Sequence, residues 1–202
     1  MPDIVNTSFK DWVDRLVSND KELMIFIDYN YLKASVVAKM EKIVNFQKFK
    51  QGFGNLGISL ISPIYYFSKI ANSDTNVAVF LKYLKKIEGY QVEVKACCSG
   101  FVSSKRDNNL LFNYESVASY MTTAMLVSAY EKGINSALVL SRDPDLIPAI
   151  RQLQNLGIEV AIATMPEIYI SNHLITQVDS IFSIEEMMKA LDCLQDSHKK
   201  VK

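Results

Sequence analysis

Short apolar runs alternate with longer amphipathic stretches along the whole chain. The first stretch, TSFKDWVDRLV, carries Phe9, Trp12, Leu16 and Val17 at helical spacing, with Ser8 three residues ahead of Asp11 as a helix start signal. LMIFID (23–28) is short, apolar and bounded by charge, which predicts a buried strand. Helical spacing resumes in YLKASVVAKMEKIVNFQKF and breaks at the glycines of FGNLG (53–57). ISLISPIYYFS is rich in β-branched and aromatic residues and predicts a strand interrupted by Pro63. NVAVFLKYLKKIEGY predicts a helix with Val79, Leu81, Leu84 and Ile87 among its apolar positions and Gly89 as its stop. QVEVKACC predicts a strand, SGFVSSKRDNNLLFN a polar loop, and YESVASYMTTAMLVSAYEKG a long helix closed by Gly133. Strand, helix and strand follow in SALVLS, DLIPAIRQLQNLG and IEVAIAT. SNHLITQVD predicts a short helix, SIFSI a last extended piece, and EEMMKALDCLQDSHKKVK a helix that frays into a basic tail.

Strands alternating with helices of matching length are the mark of βαβ units, so the expected fold class is α/β, with a mainly parallel sheet covered on both faces. A chain of 202 residues suffices for one domain with a real core. The expected division is a helical extension over 1–20, a central domain over 21–185, and a C-terminal helix with its tail over 186–202.

Charge narrows the functional classes. Lys plus Arg and Asp plus Glu are both 22, so the net charge is zero, and a grip on long duplex nucleic acid is not expected. No apolar run approaches the length of a membrane span, and the acidic N-terminus does not resemble a signal peptide. Three Cys without a C-x-x-C pair fit a reducing compartment, and a cytoplasmic location is expected. Only two His are present: His173 is expected to pack or cap, and His198 to be solvated in the tail. The spacing G-x-G-x-x-G occurs once, as GFGNLG (52–57), but there it ends a helical stretch instead of following a strand, and G-x-x-x-x-G-K-[ST] is absent, so a dinucleotide or P-loop site lacks support.

The candidate chemistry lies in carboxylates. Asp28 ends the LMIFID run, and Asp143 and Asp145 follow SALVLS within SRDPDL. If both runs are strands of one parallel sheet, the three acids share its carboxyl edge, where ligands bind in open α/β sheets. Helix initiation explains DPDL equally well: Asp143 is a good N-cap, Pro144 suits the first helical position, and Asp145 suits the positive helix end. It does not explain Asp28. Like charges ~4 Å apart repel by ~4 kcal/mol at an effective dielectric of 20. A hard cation such as Mg²⁺ or Mn²⁺ offsets that repulsion, and one oxygen can cap a helix while the other faces an ion.

FIDYNYLKAS resembles the strand-end F-I-D-x-x-N motif of NYN domains, members of the PIN-like nuclease superfamily, with one residue fewer between Asp28 and Asn30. LVLSRDPDLIPAIRQLQNLGIEVAIAT resembles their second signature, S-x-D-x-D opening a helix that leads through L-x-x-x-G to a strand. SPIYYFS, FLKYLKKIEGYQVEVKA and SNHLITQVDSIFSI sit where the family has its second strand, the helix and strand after it, and its closing segment. The resemblance spans Leu23 to Ile184. It implies a PIN-like, Rossmann-like three-layer α/β/α sandwich and Mg²⁺- or Mn²⁺-dependent hydrolysis of RNA. It assigns the site to Asp28, Asn30, Asp143 and Asp145, the three acids as metal ligands, with Ser141 in support. Lys33, Lys105 and Arg106 are candidate contacts to RNA phosphates, or ordinary surface charge. Tyr29 and Tyr31 can stack on bases or pack into the core. Ala118 and Ala124 stand where the family usually places further acids, leaving Glu115, Thr122 and Thr123 as polar substitutes.

Two functions follow as expectations. One is a metal-dependent ribonuclease, weak because part of its acidic site is missing. The other is a degenerate NYN-type module that binds single-stranded or structured RNA or a protein partner, including a second copy, without cleaving.

Overall fold

The computed structural model describes residues 5–58, 63–70, 75–96 and 117–196. In chain order the elements are β1 (Val5–Asn6), α1 (Phe9–Ser18), β2 (Leu23–Asp28), α2 (Tyr29–Lys33), a π-helix (Ala34–Lys39), β3 (Lys42–Val44) and α3 (Phe46–Asn55). Then come β4 (Ile64–Ile70), α4 (Thr75–Leu84), β5 (Tyr90–Ala96), α5 (Ala118–Lys132), β6 (Ser136–Leu140), a 3-10 turn (Pro144–Leu146) and α6 (Ile147–Asn155). The rest is β7 (Glu159–Thr164), α7 (Asn172–Ile175), β8 (Ser180–Ser183), α8 (Ile184–Ala190) and β9 (Leu194–Asp196). Among the described residues, seven strands form one sheet in the order β1-β8-β7-β6-β2-β4-β5, every neighbouring pair parallel. The resulting three-layer α/β/α fold is the expected one.

Register explains the layers. All six residues of β2 are buried, as a central parallel strand covered on both faces requires. Phe26 is in register with Tyr65 on β4 and Val139 on β6, so these share one face of the sheet. Phe26 and Tyr65 stack at 5.4 Å, and the Tyr65 hydroxyl meets Ser128 (3.3 Å) and Lys132 (3.0 Å) of α5. α5 packs on α6, so these two helices cover that face. Phe182 of β8 points to the other face and meets Phe9 and Trp12 of α1 at ring distances of 5.1 and 5.0 Å. Phe53 of α3 joins them at 6.2 Å from Phe9, and α8 packs on α1. The N-terminal helix is thus part of the core, with Phe9, Trp12 and Leu16 fully buried. Its start is the one its sequence predicts: Ser8 Oγ accepts from the Asp11 N–H at 3.0 Å. Gly133 closes α5 at φ +63, a backbone conformation that only a residue without Cβ adopts freely.

Several local expectations change. The helical stretch after Asp28 contains α2, a π-helix and the strand β3, which pairs antiparallel with β9. The predicted C-terminal helix stops at Ala190, and Leu194–Asp196 turns back as β9, because Lys42–Val44 offers it a partner. Val79 is 67% exposed on the outer side of α4 rather than apolar core. His173 is exposed on α7, neither packed nor a cap. His198, Cys97 and Cys98 lie outside the described residues. Cys193 is a buried free thiol whose pKa burial pushes up to about 12. Among the described residues, no helix is long and apolar enough to cross a membrane.

Candidate functional site

Asp28 is the last residue of β2, one position beyond the Ile27–Leu140 pair that locks β2 to β6. Parallel register therefore sets it beside Ser141, which follows β6, at the carboxyl edge of the sheet. Asp28 is fully buried and caps α2: its Oδ1 accepts from the N–H groups of Asn30 (2.9 Å) and Tyr31 (3.3 Å). The Ser141 hydroxyl donates a long hydrogen bond to Asp28 Oδ2 at 3.5 Å and accepts from the Asp143 N–H at 3.3 Å. Asp143 in turn caps the 3-10 turn, its Oδ1 accepting from the Asp145 N–H at 3.0 Å. A hydrogen-bonded chain thus runs Asp28–Ser141–Asp143–Asp145, and each link but the last is buried. SRDPDL is a cap, and the residue it caps from sits next to a second buried acid.

The sequence-derived residues divide accordingly. Asp28, Ser141 and Asp143 are brought together; Asn30 is half-buried at their rim with its N–H in the Asp28 cap. Asp145 is exposed. Lys33 lies one turn along α2 from Tyr29, exposed, with its Nζ 5.7 Å from the Tyr29 ring centre. Lys105, Arg106 and Glu115 lie outside the described residues. Among the described residues, no group of three or more His, Cys, Asp or Glu side chains could hold a metal ion. The donor set there is two buried carboxylates. That suits Mg²⁺, which keeps several waters and takes one or two carboxylates plus substrate phosphates, better than a cation needing an all-protein cage.

Ala118 is buried at the start of α5, and α5 packs against the 3-10 turn. Ala124 lines a groove of about 490 Å³ between α5 and β4–β5, together with Tyr65, Thr123 and Glu93. Asp28, Phe67 and Glu93 are in register on one face, so Glu93 stands two interstrand spacings from Asp28, about 10 Å. That is too far to share one ion with Asp28.

One residue at the edge was not singled out by its sequence context. Arg142, between Ser141 and Asp143, has an exposed side chain and acts electrostatically on the Tyr31 hydroxyl. Tyr31 is buried, and its hydroxyl donates to the Ala163 carbonyl at 3.1 Å. Burial raises its pKa well above the usual tyrosine range, Asp28 adding to the rise and Arg142 opposing it. It is a core tyrosine, not a stacking surface. Tyr29 is the half-buried one, stacked on Phe80 at 6.0 Å. A D-P-D run draws attention to its acids, and the arginine before them carries no pattern of its own.

A model of the NYN domain matches residues 22–185. No curated protein matches the chain. Among solved structures, the crystal structure of a protein of unknown function from Vibrio parahaemolyticus is similar, with a TM-score of 0.62 and 15% identity over 88% of this chain and 98% of that one. At that identity the likeness is one of fold.

Proposed function

This chain belongs to the NYN domain family of PIN-like nucleases, and from that membership we propose that it hydrolyses RNA phosphodiester bonds with Mg²⁺ or Mn²⁺. The observation that carries the reading is the two buried acids, Asp28 and Asp143, at one carboxyl edge, where Ser141 bonds the Asp28 carboxylate and the Asp143 N–H. Two buried acids at one edge gather negative charge that a divalent cation would offset, and capping alone does not require acids there, since Asn caps as well.

Asp28 and Asp143 would hold the ion, with Asp145 as a more exposed contributor. A bound divalent cation supplies an activated water and a Lewis acid for the phosphoryl oxygen. Ser141 positions the acids by bonding to both residues. Asn30, at the rim, orients a phosphate. Arg142 and Lys33 contact flanking phosphates; Lys105 and Arg106 keep that proposed role from their sequence context alone. With two buried acids rather than a full set, activity is expected to be low. The same small donor set supports the second reading, a module that binds RNA or a protein without cutting. A reducing, cytoplasmic setting suits the free thiol of Cys193.

The test is a labelled single-stranded RNA incubated with the chain in Mn²⁺, Mg²⁺ or EDTA, alongside Asp28→Asn and Asp143→Asn. Cleavage is expected in either metal and lost in EDTA and in both variants. Cleavage that survives EDTA, or is undiminished in both variants, overturns the proposal. RNA that is bound but never cut establishes the second reading.

A further inference from the structure

The site described above leaves a second concavity unexplained. A groove of about 260 Å³ begins at Tyr29, the residue after Asp28. Tyr29, Phe46 and Phe80 supply aromatic walls, Val36 and Val37 an aliphatic one, and Lys33 stands at its mouth. Among the described residues its lining contains one cation and no acid, whereas the larger groove beside α5 contains Glu93. Part of its wall is the π-helix Ala34–Lys39, a rare element frequent at functional sites. Val37 is 40% exposed there, and Tyr29 is half-buried.

Size, charge and continuity with the Asp28 edge together choose the occupant. The volume is below the ~300–1,000 Å³ of drug-sized ligand sites, so the groove takes one ring system rather than a helix or a large ligand. A base is such a ring system. It joins to a backbone whose phosphates Lys33 would meet, and the next position along the chain is Asp28. We propose that this groove seats one nucleobase of a single-stranded RNA whose backbone crosses the sheet edge at Asp28. The proposal rests on the RNA-cleaving reading and sharpens it. A base held in an apolar cleft must be unpaired, so the substrate is single-stranded at that nucleotide, and base-paired RNA is excluded there. Lys33 lies over the Tyr29 ring, its Nζ 5.7 Å from the ring centre.

Binding is measured by fluorescence anisotropy in EDTA, so that it is read without cleavage, with single-stranded oligoribonucleotides in which each base in turn is replaced by an abasic residue. Cleavage of the intact strand in Mn²⁺ is measured separately. One abasic position should weaken binding about tenfold, as the loss of one stacked base does. Tyr29→Leu keeps the apolar bulk and should weaken the intact strand to a similar degree. Val37→Glu, on the exposed rim where folding is not at risk, should do the same by placing an acid in the cleft. Neither variant should weaken the strand lacking the seated base. A flat abasic scan, or two correctly folded variants that bind like wild type, overturns the groove while leaving cleavage to decide the nuclease reading. Base-dependent binding without cleavage keeps the groove and sinks the nuclease. A chain that neither binds nor cuts RNA overturns both. A dimer that Val37→Glu dissolves in sedimentation, with RNA affinity unchanged, reassigns the groove to a second copy.

Discussion

Replacing Asp28 separates capping from ion binding. Asp28→Ala removes the acceptor for two N–H groups, and the Tyr31 N–H is buried. Loss of a cap costs ~1 kcal/mol, and a buried donor left unpaired adds ~1–3 kcal/mol. The sum, ~2–4 kcal/mol, lowers the melting temperature of a chain this size by roughly 4–16 °C. Asp28→Asn keeps an oxygen for the cap and removes a buried charge, so in EDTA it should melt at or above wild type. Mn²⁺ then reports the second role. A ligand that binds only the folded chain stabilises it by RT ln(1 + [L]/Kd), about 1.4 kcal/mol at ten times Kd, a rise of roughly 3–6 °C. Wild type should show that rise and neither variant should. Thermal melts by circular dichroism, with EDTA and with millimolar Mn²⁺, read all six values. An Asp28→Ala protein that melts with wild type would refute the capping argument, and an Asp28→Asn protein that still gains stability from Mn²⁺ would refute the ligand role.

Arg142→Gln should weaken RNA binding similarly for all sequences and reduce the slope of log affinity against log salt by about 1, read from titrations at several salt concentrations. An unchanged slope means that Arg142 does not touch phosphate. Ser136 is fully buried, and its hydroxyl has no partner among the described residues, so Ser136→Ala should raise stability by about 1 kcal/mol in a denaturant melt. Alkaline pH should destabilise the chain. Burial raises the pKa of Cys193 from 9.0 to about 12 and lifts those of Tyr31 and Tyr90 above their ordinary 10.0. The folded chain then keeps protons that the unfolded chain releases. Stability should be whole below pH 9 and fall from there toward pH 12, and Cys193→Ala should remove the earliest part of the fall in a pH series of melts.

The parts of the fold visible in the sequence were those fixed by local chemistry. The unbroken apolar run of β2, the Ser8 cap and Gly133 each act within a few residues, and each appears where the pattern places it. β3 was hidden because three residues cannot display an alternation, and its partner β9 lies about 150 positions away. A π-helix differs from an α-helix by one residue in the span of its hydrogen bonds, which apolar spacing does not resolve over six residues. At the site, shared edge and shared strand direction could be inferred for Asp28 and Asp143. Their link through Ser141 could not, since it depends on the register of β2 against β6. Nor could the exposure of Asp145, because the cap formed by Asp143 turns it outward.

The Asp28–Ser141 contact joins residues 113 positions apart, whereas β2 meets β4 at a far shorter separation. Loop closure of that length is slow relative to local pairing. During synthesis at about 5–20 residues per second, roughly 6–20 s pass between the emergence of these two residues. Throughout that interval one edge of β2 lacks its β6 neighbour, and its unpaired N–H and C=O groups are a template for wrong pairings. The carboxyl edge is therefore among the last features of the chain to acquire its shape, and a growing polypeptide holding Asp28 alone has only half of the acidic pair.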